Sequence, residues 1–208
     1  LIKPIYKKTF SPLFICAILL LLQSSKKITS TGKDVEQYYL AQLINFEKKL
    51  SSFEKSVSQK ASRKTLQQLF FQARLSYKKI AILTEFYNIY ETRVLNGPAL
   101  KWVEDDNPDK IFEPHGFQVI EENLFSTKVP VSYPMLKDEI VRISAITGVL
   151  RKEKNLDYKF RNELVFEALQ SSLIRLITLG ITGFDSPIAQ YSVAETKSTL
   201  EGLQSILA

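Results

Sequence analysis

Residues 35–57 read VEQYYLAQLINFEKKLSSFEKSV. Large apolar side chains recur in this stretch at steps of three or four residues, and the other positions are mostly polar. The apolar positions are Val35, Tyr39, Leu43, Phe46, Leu50, Phe53 and Val57. This spacing follows the 3.6-residue turn of an α-helix, and no strand period reproduces it. The stretch therefore predicts an amphipathic helix of about six to seven turns.

The chain continues in the same manner up to residue 96. The 64 residues from 33 to 96 contain neither glycine nor proline, the two strongest breakers of regular structure. A second apolar stripe predicts a helix over residues 62–94, formed by Leu66, Leu69, Phe70, Ala73, Tyr77, Ile80, Ala81 and Thr84. Residues 58–62 are short and polar. A connection this short makes the two helices antiparallel neighbours.

Residues 95–114 break this pattern. They contain an Asn-Gly-Pro turn at 96–98 and an acidic stretch at 104–109, so we expect one long irregular loop, a feature that is often functional. A short helix should start near Pro114 and bury Phe117, Ile120 and Leu124. Further helices are expected over 136–150, 160–176 and 193–207. The predicted fold is all-α: an antiparallel bundle of long helices over residues 33–208, with the loop at about 95–114.

The first 25 residues have a different composition. Three lysines precede a continuous apolar run at residues 13–22, and these 25 residues contain no acid. This order is typical of a secretory signal peptide. Ten apolar residues cover about 15 Å as a helix, roughly half of a bilayer core, so a spanning anchor is the second interpretation. Either one predicts a periplasmic or otherwise extracytoplasmic protein that meets the membrane only through residues 1–25.

The composition excludes several classes of function. The chain has one cysteine and one histidine, which excludes a disulfide within the chain, a CxxCH haem attachment and a multi-histidine zinc site. The net charge is +6, from 28 Lys and Arg against 22 Asp and Glu. Lys3, Lys7 and Lys8 supply half of that excess, so the bundle itself is too weakly basic to predict a nucleic-acid partner.

Residues 115–122 contain the most plausible metal ligands. His115, Gln118 and Glu121 follow one another at three-residue steps, so their side chains can share one face of the short helix. Imidazole and carboxylate are competent ligands for iron or another divalent metal, and an amide oxygen is a weak one. The alternative is structural: Glu121 and Glu122 face solvent or pair with lysines, and His115 covers a helix end.

The second helix carries a basic face. We expect Arg74 to be buried and to pair with Glu121 or Glu85 across the bundle, whereas Lys78 and Lys79 should form a solvated surface. Trp102, in the predicted loop, should anchor that loop on the bundle.

Two family resemblances become visible at these residues. The segment GFQVIE at 116–121, followed by Leu124 and Phe125, resembles the GxHxxE segment of the imelysin-like family. Those are extracytoplasmic all-helical proteins, several linked to iron uptake, whose His and Glu are proposed metal ligands. Here Gln118 stands at the His position, and Glu121 keeps the Glu position.

A closer resemblance covers the chain from about residue 35 onward. Four segments resemble the N-terminal helical region of certain bacterial dihaem cytochrome c peroxidases: FQARLSYKK (71–79), NGPAL (96–100), EPHGFQVIEE (113–122) and TGFDSP (182–187). In that family the region precedes the haem domains, which carry the CxxCH motifs.

These resemblances imply three functions. The first is an accessory or interaction module without haem of its own, which packs against dihaem peroxidase domains on a longer chain or on a partner. The second is a periplasmic metal-handling protein of imelysin type, which would use Glu121, His115 and Gln118. The third is the N-terminal part of a peroxidase, whose haem lies in downstream domains.

Overall fold

The computed structural model describes residues 31–104 and 107–208. The predicted signal peptide or anchor, at residues 1–25, lies outside the described residues. Within the described part, no helix combines the length and the apolar character that crossing a bilayer requires.

Helices dominate the described structure, which confirms the predicted all-α class. They are α1 (Gly32–Ser58), α2 (Arg63–Tyr87), α3 (Ile89–Asn96), α4 (Phe117–Phe125), α5 (Tyr133–Arg151), α6 (Leu156–Lys159), α7 (Asn162–Arg175) and α8 (Ser192–Leu207). A π-helical turn, Leu176–Gly180, extends α7. Two short strands, β1 (Trp102–Glu104) and β2 (Asn107–Phe112), lie between α3 and α4.

Helix α1 forms as its sequence predicts, and every residue of its apolar stripe is buried. Its first turn is closed by a capping box. The Asp34 amide donates to the Thr31 hydroxyl at 3.4 Å, and the Thr31 amide donates to the Asp34 carboxylate at 2.7 Å. The two longest helices run antiparallel, because the start of α1 meets the end of α2: the hydroxyls of Tyr39 and Thr84 are 3.0 Å apart.

The core centres on the aromatic ring of Phe117, the first residue of α4. Its centroid lies 5.9 Å from that of Phe46 on α1, and 5.9 Å and 5.3 Å from those of Phe70 and Tyr77 on α2. These rings join α4 to the α1–α2 pair. Ile120 and Leu124 are buried beside them, as predicted for the short helix.

The predicted single helix over 62–94 is wrong at one point, because the structure ends α2 at Tyr87 and starts α3 at Ile89. The residue between them, Asn88, has φ −132° and ψ 64°, outside the helical region. Its side-chain amide donates to Glu153 at 3.4 Å, and its carbonyl accepts from Lys159 at 3.3 Å. Asparagine side chains compete with the helical backbone for hydrogen bonds, and here the competing partners lie far along the chain.

The predicted irregular loop at 95–114 needs one correction, because residues 102–104 and 107–112 form an antiparallel hairpin in which Trp102 pairs with Phe112. The two rings stack with centroids 4.1 Å apart and planes 9° from parallel. Arg93 on α3 lies over the outer face of the pair, 4.5 Å from the Trp102 centroid. Cross-strand aromatic pairs stabilise hairpins. The polar residues between Trp102 and Phe112 indicate a loop, so the sequence does not show that these two rings pair. The expected anchoring of Trp102 on the bundle is confirmed by its contact with Arg93.

The helix predicted over 160–176 forms in pieces, and most of its predicted core residues are buried, namely Phe160, Ala168, Leu169 and Leu176. Helix α7 packs on α2 through Val165, Ala168 and Leu169, whereas Leu173, which the pattern assigns to the core, is 44% exposed. The change to π-helix at Leu176 adds a residue to the last turn, and Gly183, with φ 83°, reverses the chain beyond it.

Candidate functional site

Arg74 on α2 is the largest fully buried side chain, with 1% of its surface exposed. Its Nε and Nη2 donate to the two carboxylate oxygens of Glu195 on α8, at 2.7 Å and 2.6 Å. Nη1 donates to the side-chain carbonyl of Asn96 at the end of α3, and Nη2 also donates to the backbone carbonyl of Asp185, at 2.7 Å. The planar guanidinium fork suits this two-pronged geometry. One side chain thus joins α2, α3, α8 and the loop before α8.

Lys78 lies one helical turn beyond Arg74 and is buried as well. Its Nζ is 2.7 Å from Asp185 Oδ2 and 3.6 Å from Glu195 Oε2. The predicted solvated surface is therefore wrong for Lys78, because the two carboxylates that cover it arrive from more than 100 residues away. The Lys79 side chain is 33% exposed and pairs with Glu201 at 3.0 Å.

Glu121 on α4 is buried beside these pairs. Its Oε1 accepts from the backbone amides of Ile188 and Ala189, at 3.1 Å and 2.6 Å. The predicted pairing of Arg74 with Glu121 or Glu85 names the wrong partner. Arg74 forms its ion pair with Glu195, and Glu85 pairs with Arg175. We refer to Arg74, Lys78, Asn96, Glu121, Asp185 and Glu195 as the Arg74 cluster.

Burial and neighbouring charges move the pKa values in this cluster in opposite directions. Burial alone would lower the pKa of Arg74, but the Glu195 carboxylate raises it above its ordinary value, so Arg74 stays charged. Burial would raise the pKa of Asp185, but Lys78 and Arg74 hold it below 3.8. For Glu121 burial prevails over the Ala189 amide and the Arg74 charge, and its pKa is raised above 4.5.

The lowered pKa of Asp185 predicts a loss of stability in acid. Because folding lowers this pKa, the contribution of Asp185 is present above its unfolded value of 3.8 and is lost as the pH falls through the folded value. We expect Asp185→Asn to flatten the fall of the unfolding free energy below about pH 4, measured by urea unfolding across that range.

Glu121→Gln is the matched comparison, with the opposite sign. Because folding raises the pKa of Glu121, the contribution of this residue to the free energy of unfolding is greatest below pH 4.5. It declines as the pH rises through the pKa of the folded state. In the Glu121→Gln variant, the free energy of unfolding should therefore no longer show the decline that Glu121 causes above pH 4.5. Its fall in acid should be the same as in the wild type. Parallel wild-type and Asp185→Asn curves below pH 4 would contradict the assignment.

The three residues predicted to bind metal make separate contacts. His115 Nδ1 is 2.9 Å from Glu139 Oε1 on α5, and the second oxygen of Glu139 accepts from the Gly116 amide at 2.7 Å. Gln118 is buried, and its Nε2 has no hydrogen-bond partner among the described residues. Glu121 faces the 186–189 loop instead. In residues 31–104 and 107–208, no three His, Cys, Asp or Glu side chains are grouped closely enough to share a metal ion.

The position of α4 depends on Gly116, which has φ 88°. A Cβ at this residue would lie 2.1 Å from the carbonyl oxygen of Val94 and 2.5 Å from that of Leu95. Only glycine tolerates both the left-handed backbone and this close approach to the end of α3. The contact brings Glu121 and Asn96 into the same buried region.

Sequence reasoning missed Asp185 and Glu195. Glu195 reads as an ordinary acidic residue in the first turn of a helix, where acids are favoured by the helix dipole. Asp185 does lie in the TGFDSP segment, although nothing in that segment indicated a partner for Arg74. Segments 71–79, 96–100, 113–122 and 182–187 meet at the Arg74 cluster, contributing Arg74 and Lys78, Asn96, Glu121, and Asp185 in turn.

No family model matches the chain, and no curated protein matches it.

Proposed function

We propose that this chain is a non-catalytic, extracytoplasmic helical module that packs against the haem domains of a dihaem cytochrome c peroxidase, on a longer chain or on a partner. Two things support the proposal: the four-segment resemblance, whose segments meet at the Arg74 cluster, and an exposed apolar surface. In this proposal the haem groups belong to the peroxidase domains, because the chain has a single cysteine and no CxxCH motif.

The surface is the single observation that carries the proposal. Helix α7 packs on α2 with one side only, and large apolar side chains cover an adjoining side and continue past the π-helical turn. They are Phe166, Leu173, Ile174, Ile177, Ile181 and Phe184, which are 44–64% exposed. We call these six residues the α7 surface. Large apolar side chains exposed together along one helix and its continuation are typical of a binding interface.

The role of the Arg74 cluster in this proposal is mechanical. The cluster ties α2 to α8 and to the 182–189 loop, and Phe184 of the α7 surface lies next to Asp185 in that loop. Paired charges hold Asp185 on Lys78 at 2.7 Å, so the loop presents its apolar residues from a fixed backbone. A pre-organised surface lowers the entropy cost of binding.

The test is a calorimetric titration of the chain with purified haem domains of a dihaem cytochrome c peroxidase from the same organism. We expect Ile177→Glu to weaken binding by about tenfold or more, because it places a charge in the centre of the α7 surface. Ile177 is 64% exposed, so the melting temperature should change little.

The matched control is Ile44→Glu, which makes the same substitution at an exposed isoleucine on α1. It should leave the affinity unchanged. Equal losses in the two variants would mean that the α7 surface is not the interface, and a wild-type chain that fails to bind the haem domains would contradict the proposed function itself.

A further inference from the structure

A small polar cavity lies beside the π-helical turn, where α2, the end of α7 and α8 meet. Glu85, Arg175, Gly180 and Thr196 are among the residues that line it. The space open to the centre of a water molecule is about 20 Å³. The cavity borders the Arg74 cluster but is not used by the proposed docking function.

Two polar oxygens of the wall are unpartnered. Within the described residues, neither Glu85 Oε1 nor Thr196 Oγ1 has a hydrogen-bond partner. The Glu85 side chain is only 10% exposed, and its other oxygen accepts from Arg175 Nε at 2.5 Å. A buried carboxylate oxygen without a hydrogen-bond donor destabilises the folded state, so we expect the cavity to hold a molecule that donates a hydrogen bond to it.

The size and charge of the cavity select the guest. One water molecule needs at least about 10–15 Å³ by this measure, so the cavity suits one water-sized molecule. The wall carries the cations of Lys78 and Arg175 and the carboxylates of Glu85, Asp185 and Glu195, so an anion or a metal cation would meet like charges there. A neutral donor avoids both repulsions.

A third oxygen borders the same space. A Cβ placed on Gly180 would lie 3.8 Å from Thr196 Oγ1 and 3.9 Å from the carbonyl oxygen of Arg175. A buried water typically makes about three hydrogen bonds. Two donated bonds, to Glu85 Oε1 and to the Arg175 carbonyl, and one accepted from the Thr196 hydroxyl would meet that number.

We propose that this cavity is a binding site for one ordered water molecule, which bridges Glu85 on α2 to Thr196 on α8. The π-helical turn provides the space for the water, because its extra residue makes the helix wider beside Gly180. The water thereby ties the base of the α7 surface to both neighbouring helices.

A double-mutant cycle tests the bridge in solution. Glu85 and Thr196 share no direct hydrogen bond, so a coupling between them that exceeds that of the control indicates a shared guest. Thr196→Val, measured by urea unfolding, should lower the folding equilibrium constant by about fivefold. In a Glu85→Met background, where the water has lost its main acceptor, the same change should cost less than about twofold.

Ser205→Ala is the control on the same helix, at a residue that does not line the cavity. The Ser205 hydroxyl donates to the Glu201 carbonyl at 2.8 Å, so its removal should cost the same in both backgrounds. Equal costs of Thr196→Val in both backgrounds would overturn the bridge.

A crystal structure of the wild-type protein keeps the proposal testable if the Glu85 variant does not fold. We expect a density peak within about 3.2 Å of both Glu85 Oε1 and Thr196 Oγ1. It should show no anomalous signal after growth in rubidium chloride. A rubidium peak would establish a cation site instead, and the lack of any peak would overturn the proposal.

Discussion

Replacing Glu195 with leucine is expected to destabilise the domain by about 3–5 kcal/mol, because it leaves the Arg74 guanidinium in the core without its carboxylate. Arg74 cannot escape by losing its proton, since arginine remains charged at every pH at which proteins fold. Lys78 loses its second carboxylate in the same variant. The measurement is the free energy of unfolding in urea at neutral pH.

The control removes both charges. The double variant Arg74→Met with Glu195→Leu should be more stable than Glu195→Leu by at least about 1 kcal/mol, since replacing a buried pair with apolar groups costs less than breaking it. If the double variant is as unstable as the single one, the cost comes from packing at Glu195, and the ion pair is not what holds α8 on α2.

Placing a carboxylate on the buried face of α1 is expected to have a similarly large effect. Leu50 is fully buried, and Leu50→Asp inserts an unpaired charge among apolar side chains. The cost is several kcal/mol of the roughly 5–15 kcal/mol that hold a typical domain together, so the variant should be unfolded or molten. Phe70→Asp on α2 should behave in the same way. Circular dichroism melting and dye binding give the readout.

Ile44→Asp is the matched control on the same helix. Ile44 is 42% exposed, so its carboxylate can remain in water, and the melting temperature should change by only a few degrees. A Leu50→Asp protein that melts within about 2 °C of wild type would contradict the assignment of the stripe to the core.

The helical faces were readable from the sequence because burial follows a local rule. A residue of α1 or α2 lies on the core side or the solvent side according to its place in the 3.6-residue turn, so the stripe from Val35 to Val57 was predicted without error. The same rule placed Phe117 and Leu124 in the core.

The rule failed where distant residues compete with local preference. Asn88 interrupts the predicted helix because Glu153 and Lys159 offer its side chain hydrogen bonds. The 102–112 hairpin forms because Trp102 meets Phe112 across the strands. Leu173 is exposed although it follows the buried Leu169 by four residues. The partners of Asn88 and Trp102 lie more than one helical turn away along the chain.

The candidate site divides in the same way. The sequence by itself determined that Arg74 lies on the buried side of α2, since it is four residues after Phe70 and three before Tyr77 on the apolar stripe. For Glu121 the sequence left open a buried partner of Arg74, a metal ligand and a side chain that faces solvent. Which carboxylate meets Arg74 was decided only by the tertiary structure, which brings Glu195 to it from 121 residues away and sets Asp185 on Lys78 from 107. The physical reason is that amphipathic spacing specifies which side of a helix is buried, whereas the pairing of buried charges depends on how the helices pack.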